Sequence, residues 1–305
     1  MGIDNRQHPP ENPLVTGPSH TLRAAFWMIG SITSFSLMAV AGRRVSFELD
    51  TFEIMLYRSF VGFIIILAFV LATGTYRQVS TRNMRLQTLR NMAHFVGQNL
   101  WFYALTVIPL AQVFALEFTS PLWVLILSPI LLGEQLTKVR ALAATLGFIG
   151  ILIVARPSPE TVNIGTLAAA ICAIAFAFTI IFTKRLTRTE SLTSILFWMT
   201  AMQCVFGVAI AGFDGDIALP SAASVPWVIV IGLGGLVAHF CLTKALGIAP
   251  ATVVIPIDFV RLPVIAVVGL IFYNEPIDAL VILGALLIFG GNYLNIWSET
   301  RRKPL

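Results

Sequence analysis

The sequence predicts an all-α integral membrane protein: ten transmembrane helices arranged as two inverted five-helix repeats. Three observations carry that expectation. The first is composition. Of 305 residues, 57% are hydrophobic and 11% charged, with a mean hydropathy of +0.86. A water-soluble domain carries roughly 25% charged residues, so lipid rather than water must face much of this chain. The second is length: unbroken apolar runs of about 20 residues are what a helix needs to cross a hydrocarbon core, and a membrane barrel would instead alternate in segments of about 10. The third is an internal duplication. The stretch from Ala104 to Gly150 is echoed 141 positions later without a gap, so that Pro109 falls on Pro250, Phe118 on Phe259, Glu134 on Glu275 and Gly150 on Gly291. Leucine and alanine coincidences mean little in so apolar a chain; prolines, glycines and acids in one register mark a repeat.

In order, the spans are expected at about 22–42, 52–73, 86–107, 110–132, 138–155, 163–183, 191–213, 224–246, 251–273 and 277–298. Residues 1–21 are polar and proline-containing and read as a disordered cytoplasmic tail; 22–158 and 159–300 are the two repeats. Five spans per repeat is an odd number, so the second repeat must cross the membrane upside down relative to the first. With a cytoplasmic N-terminus, fourteen lysines and arginines fall on the cytoplasmic side against three opposite. That bias places both termini in the cytoplasm. The net charge of +5 is spread over short loops, which argues against nucleic acid as a partner. Cys172, Cys204 and Cys241 have no metal-ligand spacing, and no phosphate loop, HExxH, GxSxG or dinucleotide fingerprint occurs. No cofactor, metal or enzymatic chemistry is expected.

Polar groups inside membrane spans are costly and by default mark a site or path. Span one contributes Phe35, whose repeat mate is Phe176 in span six. Span two carries Arg58, two turns deep, read as paired rather than as a ligand anchor. Span three carries Asn91, His94, Gln98 and Trp101 at spacings of three, four and three, which puts them on one helical face. Arg90, nearer the span's end, is read as snorkelling to the interface. Gln98 has His239 as its mate in span eight, with Thr243 one turn on; these groups are expected to wall a central cavity and bind substrate, the alternative being bonds between helices only. Spans four and nine hold the mates Glu117 and Asp258. Either one of them exchanges a proton during transport, or both are structural ion pairs, Asp258 with Arg261 and Glu117 with Arg58. Pro121, Pro256 and Pro263 should kink these two spans. Glu134 and Glu275 precede the fifth spans and read as structural acids at helix starts. Gly147, Gly150, Gly290 and Gly291 in spans five and ten should pack the repeats together.

Two five-span halves, a Gly133-Glu134 or Asn274-Glu275 acid after the fourth span of each, and glycine-rich fifth spans resemble the drug/metabolite transporter superfamily, and within it the EamA-type bacterial permeases. The resemblance implies a multi-pass inner-membrane transporter working by alternating access. Its substrate would be an amino acid or related small metabolite, exported, with protons as a candidate coupling ion. The competing expectations are a passive facilitator, or an uptake permease for a nucleotide-derived or vitamin metabolite.

Overall fold

In lipid every backbone N–H and C=O must be satisfied within the chain, so apolar runs of this length fold as helices. The computed structural model describes residues 18–108, 110–155, 163–211, 217–273 and 279–301, and among these it is helix and turn throughout. The first half comprises α1 (Pro18–Val45), α2 (Thr51–Ala72), α3 (Met84–Val107), α4 (Leu110–Glu117), α5 (Ser120–Leu132) and α6 (Lys138–Ala155). The second comprises α7 (Ile164–Leu186), α8 (Leu192–Ala211), α9 (Val225–Ile248), α10 (Ala251–Val254), α11 (Arg261–Tyr273) and α12 (Ala279–Arg301), with a 3-10 segment, Ile255–Val260, between α10 and α11. Five of these are long and apolar enough to cross a bilayer by length and composition: α1, α2, α7, α8 and α9. Helix α1 begins at Pro18, so residues 18–21, expected in the tail, are helical.

Local chemistry sets the boundaries. Asp50 caps α2 by accepting from the Glu53 N–H while Glu53 accepts from the Asp50 N–H, a reciprocal box that satisfies two otherwise open donors. Asn163 and Thr166 do the same for α7. Gly133, at φ +69, closes α5 in the left-handed region where glycine carries no steric penalty.

Spans four and nine are broken rather than kinked. Pro121 stands in the first turn of α5, after a break at 118–119. Pro256 starts the 3-10 segment, and Pro263 lies in the first turn of α11. Proline lacks the N–H that an interior helical position requires but suits a first turn, so each begins a new piece instead of bending an old one.

Packing respects the duplication. Helix α1 packs chiefly against α9, and α3 against α7; exchanging the repeats turns one pair into the other. The pairs α2–α8 and α6–α12 are each their own exchange partner. In the α6–α12 seam Gly150 meets the Gly284 carbonyl and Gly291 meets that of Ala143 so closely that an added Cβ would lie 2.6 and 2.7 Å away. Gly147 leaves room for the Phe259 ring, whereas Gly290 faces open space. Buried apolar residues form one cluster around Val45, Trp101, Phe118 and Phe259 and another around Met28, Val124, Ile181 and Leu246. The two clusters take opposite ends of α1, Ala24, Met28 and Ile32 joining one and Met38, Ala41 and Val45 the other, with Phe35 packed against the latter.

Both ends are tied across the repeats. At one end Glu48 accepts from Ser221 and Ser224, Glu53 accepts from the Ala218 N–H, and Tyr57 donates to the Ala218 carbonyl at 2.7 Å. At the other, Glu134 accepts from the Ala251 and Thr252 N–H groups at 2.9 and 3.0 Å, and from the Thr252 hydroxyl. It therefore caps α10 of the second repeat rather than the start of α6, as the sequence suggested. Arg188 donates across to the Leu132 carbonyl, while Lys184 Nζ, donating to the Leu246 and Ala249 carbonyls, ties α7 to the end of α9 within the second repeat. Glu275 lies outside the described residues.

Candidate functional site

A cavity of about 780 Å³, mouth included, lies between the two repeats. Its walls come in repeat mates: Phe35 with Phe176, Met38 with Thr179, Gln98 with His239, Trp101 with Leu242, Glu117 with Asp258 and Ser120 with Arg261. Residues related by the duplication can face one space only if that space straddles the axis relating the halves.

At the centre His94 and His239 meet edge to face, ring centroids 4.6 Å apart. Phe35 packs edge-on against His239, and Phe176 lies beside His94. Neither ring nitrogen of His94 has a hydrogen-bond partner among the described residues, nor does Nε2 of His239 or Oε1 of Gln98, although all three side chains are at least nine-tenths buried. Buried polar atoms are normally satisfied; here three side chains with open donors or acceptors line one cavity.

Farther along, the broken spans deliver the charges. Glu117 ends α4, Asp258 sits in the 3-10 segment and Arg261 opens α11. Arg261 Nη2 lies 2.5 Å from Glu117 and 3.1 Å from Asp258, and its guanidinium lies over the Phe35 and Phe118 rings at 5.4 and 4.9 Å. Trp101 Nε1 donates to the other Glu117 oxygen at 2.6 Å. Asp258 Oδ1 remains unpartnered. Two carboxylates share one guanidinium, so with all three ionised this end of the cavity is negative by one charge.

Several expected residues stand elsewhere. Asn91 donates to the Gln87 and Trp198 carbonyls and accepts from Arg90; with Gln203 donating to its own carbonyl, it is a strut between α3 and α8. His94, Gln98 and Trp101 line the cavity, while α8 covers the same face of α3 at the level of Asn91. Thr243 is buried in α9 and does not line the cavity, and Pro121 lines it while Pro256 and Pro263 do not. Arg58 does not reach Glu117, whose oxygens are taken by Arg261 and Trp101. Arg90 is 1% exposed and does not snorkel: it donates to Thr183 Oγ1 and Asn91 Oδ1. Ser31, Ser120 and Thr179 also line the cavity, small hydroxyls whose only signal in the sequence is the helical register they share with the residues named above.

A fold of apolar helices, two of them broken beside a cavity on the repeat axis, defines a multi-pass membrane transporter. The chain belongs to the EamA-like transporter family, whose model matches residues 22–156 and again 163–297. It is 28% identical to the S-adenosylmethionine uptake transporter of Rickettsia prowazekii over 280 residues, 92% of this chain and 94% of that one. It is 26% identical to the riboflavin transporter of Vibrio cholerae over 289 residues, 93% of this chain and 96% of that one. A solved crystal structure superposes with a TM-score of 0.79 at 18% identity, covering 93% of this chain and 99% of the other, which shows the fold alone.

Proposed function

We propose that the protein is a secondary transporter of the inner membrane, crossing it ten times with both termini cytoplasmic and moving a small metabolite by alternating access. The observation that carries this reading is the cavity walled by repeat mates: rocking one repeat against the other would expose it first to one side, then to the other. The two sets of end ties, around Glu48 and around Glu134, are the contacts such rocking would make and break in turn.

The walls favour a flat, partly aromatic metabolite with hydrogen-bonding groups: Phe35, Trp101 and Phe176 offer faces and edges, and His94, Gln98 and His239 offer open donors and acceptors. The relatives support a nucleoside-derived or vitamin-like substrate, the resemblance of the sequence an amino acid. Secondary transport is reversible, so its sense in the cell follows from the gradients the cell maintains. Of the two acids, Asp258, with one open oxygen, is the better candidate for proton exchange; the contacts of Glu117 favour a structural pair.

Reconstitution into proteoliposomes tests the reading. Counterflow of labelled S-adenosylmethionine, riboflavin and aromatic amino acids, with and without a pH gradient, should reveal at least one saturable substrate. Saturable flux without accumulation under any gradient would indicate a facilitator, and no flux of any small metabolite would remove the proposal.

A further inference from the structure

Arg58 is a buried cation in α2 that the cavity does not use. It is 7% exposed, has no carboxylate in ion-pair range among the described residues, and its Nη1 finds only the Met55 sulfur, at 3.7 Å. An arginine at membrane depth ordinarily has a partner or faces a functional cavity. Arg58 faces one. A second space, about 280 Å³ with its open mouth included and with room for little more than a water or a carboxylate, lies between Arg58, His94, Gln203 and the α9 glycines Gly232 and Gly235. It too is lined by repeat mates, Arg58 with Met199 and Ser59 with Thr200, so it straddles the same axis. His94 lines both spaces and is their common wall.

The halves differ here in a way that makes room. Where the first repeat has Asn91 and His94, the second has Gly232 and Gly235. A Cβ on Gly235 would lie 2.7 and 2.8 Å from Arg58 Nε and Nη2, so the guanidinium lies against bare α9 backbone. Gln203 Oε1, beside it, is unpartnered and 4% exposed. Arg90 adds positive field without competing for a ligand, since its Nε and Nη1 are already engaged.

We propose that Arg58 and this second space form an anion subsite that takes a carboxylate of the transported molecule, the rest of which occupies the main cavity. The Nε–Nη2 edge is turned to Gly235, which leaves the end of the guanidinium, Nη1 and the outer Nη2 hydrogen, to meet one carboxylate. The opposite end of the main cavity, where Glu117 and Asp258 outnumber Arg261, suits a cationic group. The ligand class is thus a zwitterionic metabolite, a compound bearing an amino-acid moiety. This inference rests on the transport reading above and deepens it.

The test is ligand binding to the purified, detergent-solubilised protein, read by thermal unfolding and titration. The probes are S-adenosylmethionine, tryptophan and phenylalanine, each beside its decarboxylated counterpart, with riboflavin as a ligand lacking a carboxylate. In the native protein at least one carboxylate probe should bind about tenfold to a hundredfold more tightly than its counterpart, the range of a charge-assisted hydrogen bond. Arg58→Gln should erase that preference and leave the affinity of the decarboxylated probe unchanged. Arg58→Lys, a point charge without the planar fork, should retain part of it. Without ligand, Arg58→Gln should unfold no earlier than the native protein, because it removes an uncompensated buried charge. Four results would each overturn the subsite: equal binding of each pair by the native protein, no binding of any carboxylate probe, a preference surviving in Arg58→Gln, or unfolding of both variants. Flux of a substrate in proteoliposomes without carboxylate preference sinks the subsite alone; absence of all flux sinks the transport reading.

Discussion

At the scale of single residues, the cavity is defined by bonds left open. Gln98 and His239 present unsatisfied atoms to it, and such a group contributes when a substrate arrives to pair with it. Gln98→Leu or His239→Leu should lower transport efficiency about tenfold to a hundredfold, matching the roughly 1–3 kcal/mol at stake when a buried polar contact is lost, while the purified variants keep their melting temperatures. Glu117 behaves differently. It is held by Arg261 and Trp101, and breaking a buried pair from one side costs about 3–5 kcal/mol. Asp258 stays beside Arg261 and retains part of that, so Glu117→Gln should show a clear fall in melting temperature and keep any pH-gradient dependence the native protein has. The identities of Gln98, His239, Glu117 and Asp258 were legible in the sequence because duplication paired them. The partners of Arg58 and Asn91 were not. A 3-4-3 spacing gives a face but not which neighbouring helix stands at each height along it.

At the scale of elements, charged side chains fix helix ends belonging to the other repeat. Glu134 caps α10 with both oxygens, so Glu134→Ala should weaken the α5–α10 tie by about 0.5–2 kcal/mol, the usual worth of a cap; cysteine labelling at Thr252 should then become faster. The opposite tie is pH-sensitive. The Ser224 hydroxyl, followed by the Ser221 N–H and hydroxyl, holds the Glu48 carboxyl below its ordinary value of about 4.5, against a smaller opposing effect of burial. A group whose folded value is depressed contributes above its unfolded value and loses that contribution as pH falls through the folded one. Hydrogen exchange at Ser221 and Ser224 should therefore be constant from neutrality down to about pH 4.5 once corrected for intrinsic rates, quicken below it, and be quick at all pH values in Glu48→Gln. The Glu134 tie is hidden in the sequence because an acid following a glycine turn looks like the cap of the next helix until the other half is folded against it. The breaks in spans four and nine are less hidden, since proline announces a disturbance without saying whether the helix bends or restarts.

At the scale of the molecule, the offset of 141 positions contained most of the architecture, because one register implies both the helix pairing and the axis on which the cavity sits. Head-down insertion of the second half has a direct check. Cysteines placed at Arg44 and Arg185, which are repeat mates and both exposed, should react with impermeant reagent from opposite faces of the membrane; labelling from one face would remove the inverted arrangement and the alternating-access scheme with it.

The α6–α12 seam is where the two halves come closest backbone to backbone. With Gly150 and Gly291 lodged against opposing carbonyls, the backbones touch without intervening side chains, and a methyl at either point would prise them apart. Under the proposed alternating access, such a joint would let each half swivel while keeping their spacing fixed, like the pin of a pair of scissors. Its location away from the cavity separates the pivot from the cargo: the bundle can evolve a new appetite by changing cavity residues while the joint, and hence the stroke, stays the same.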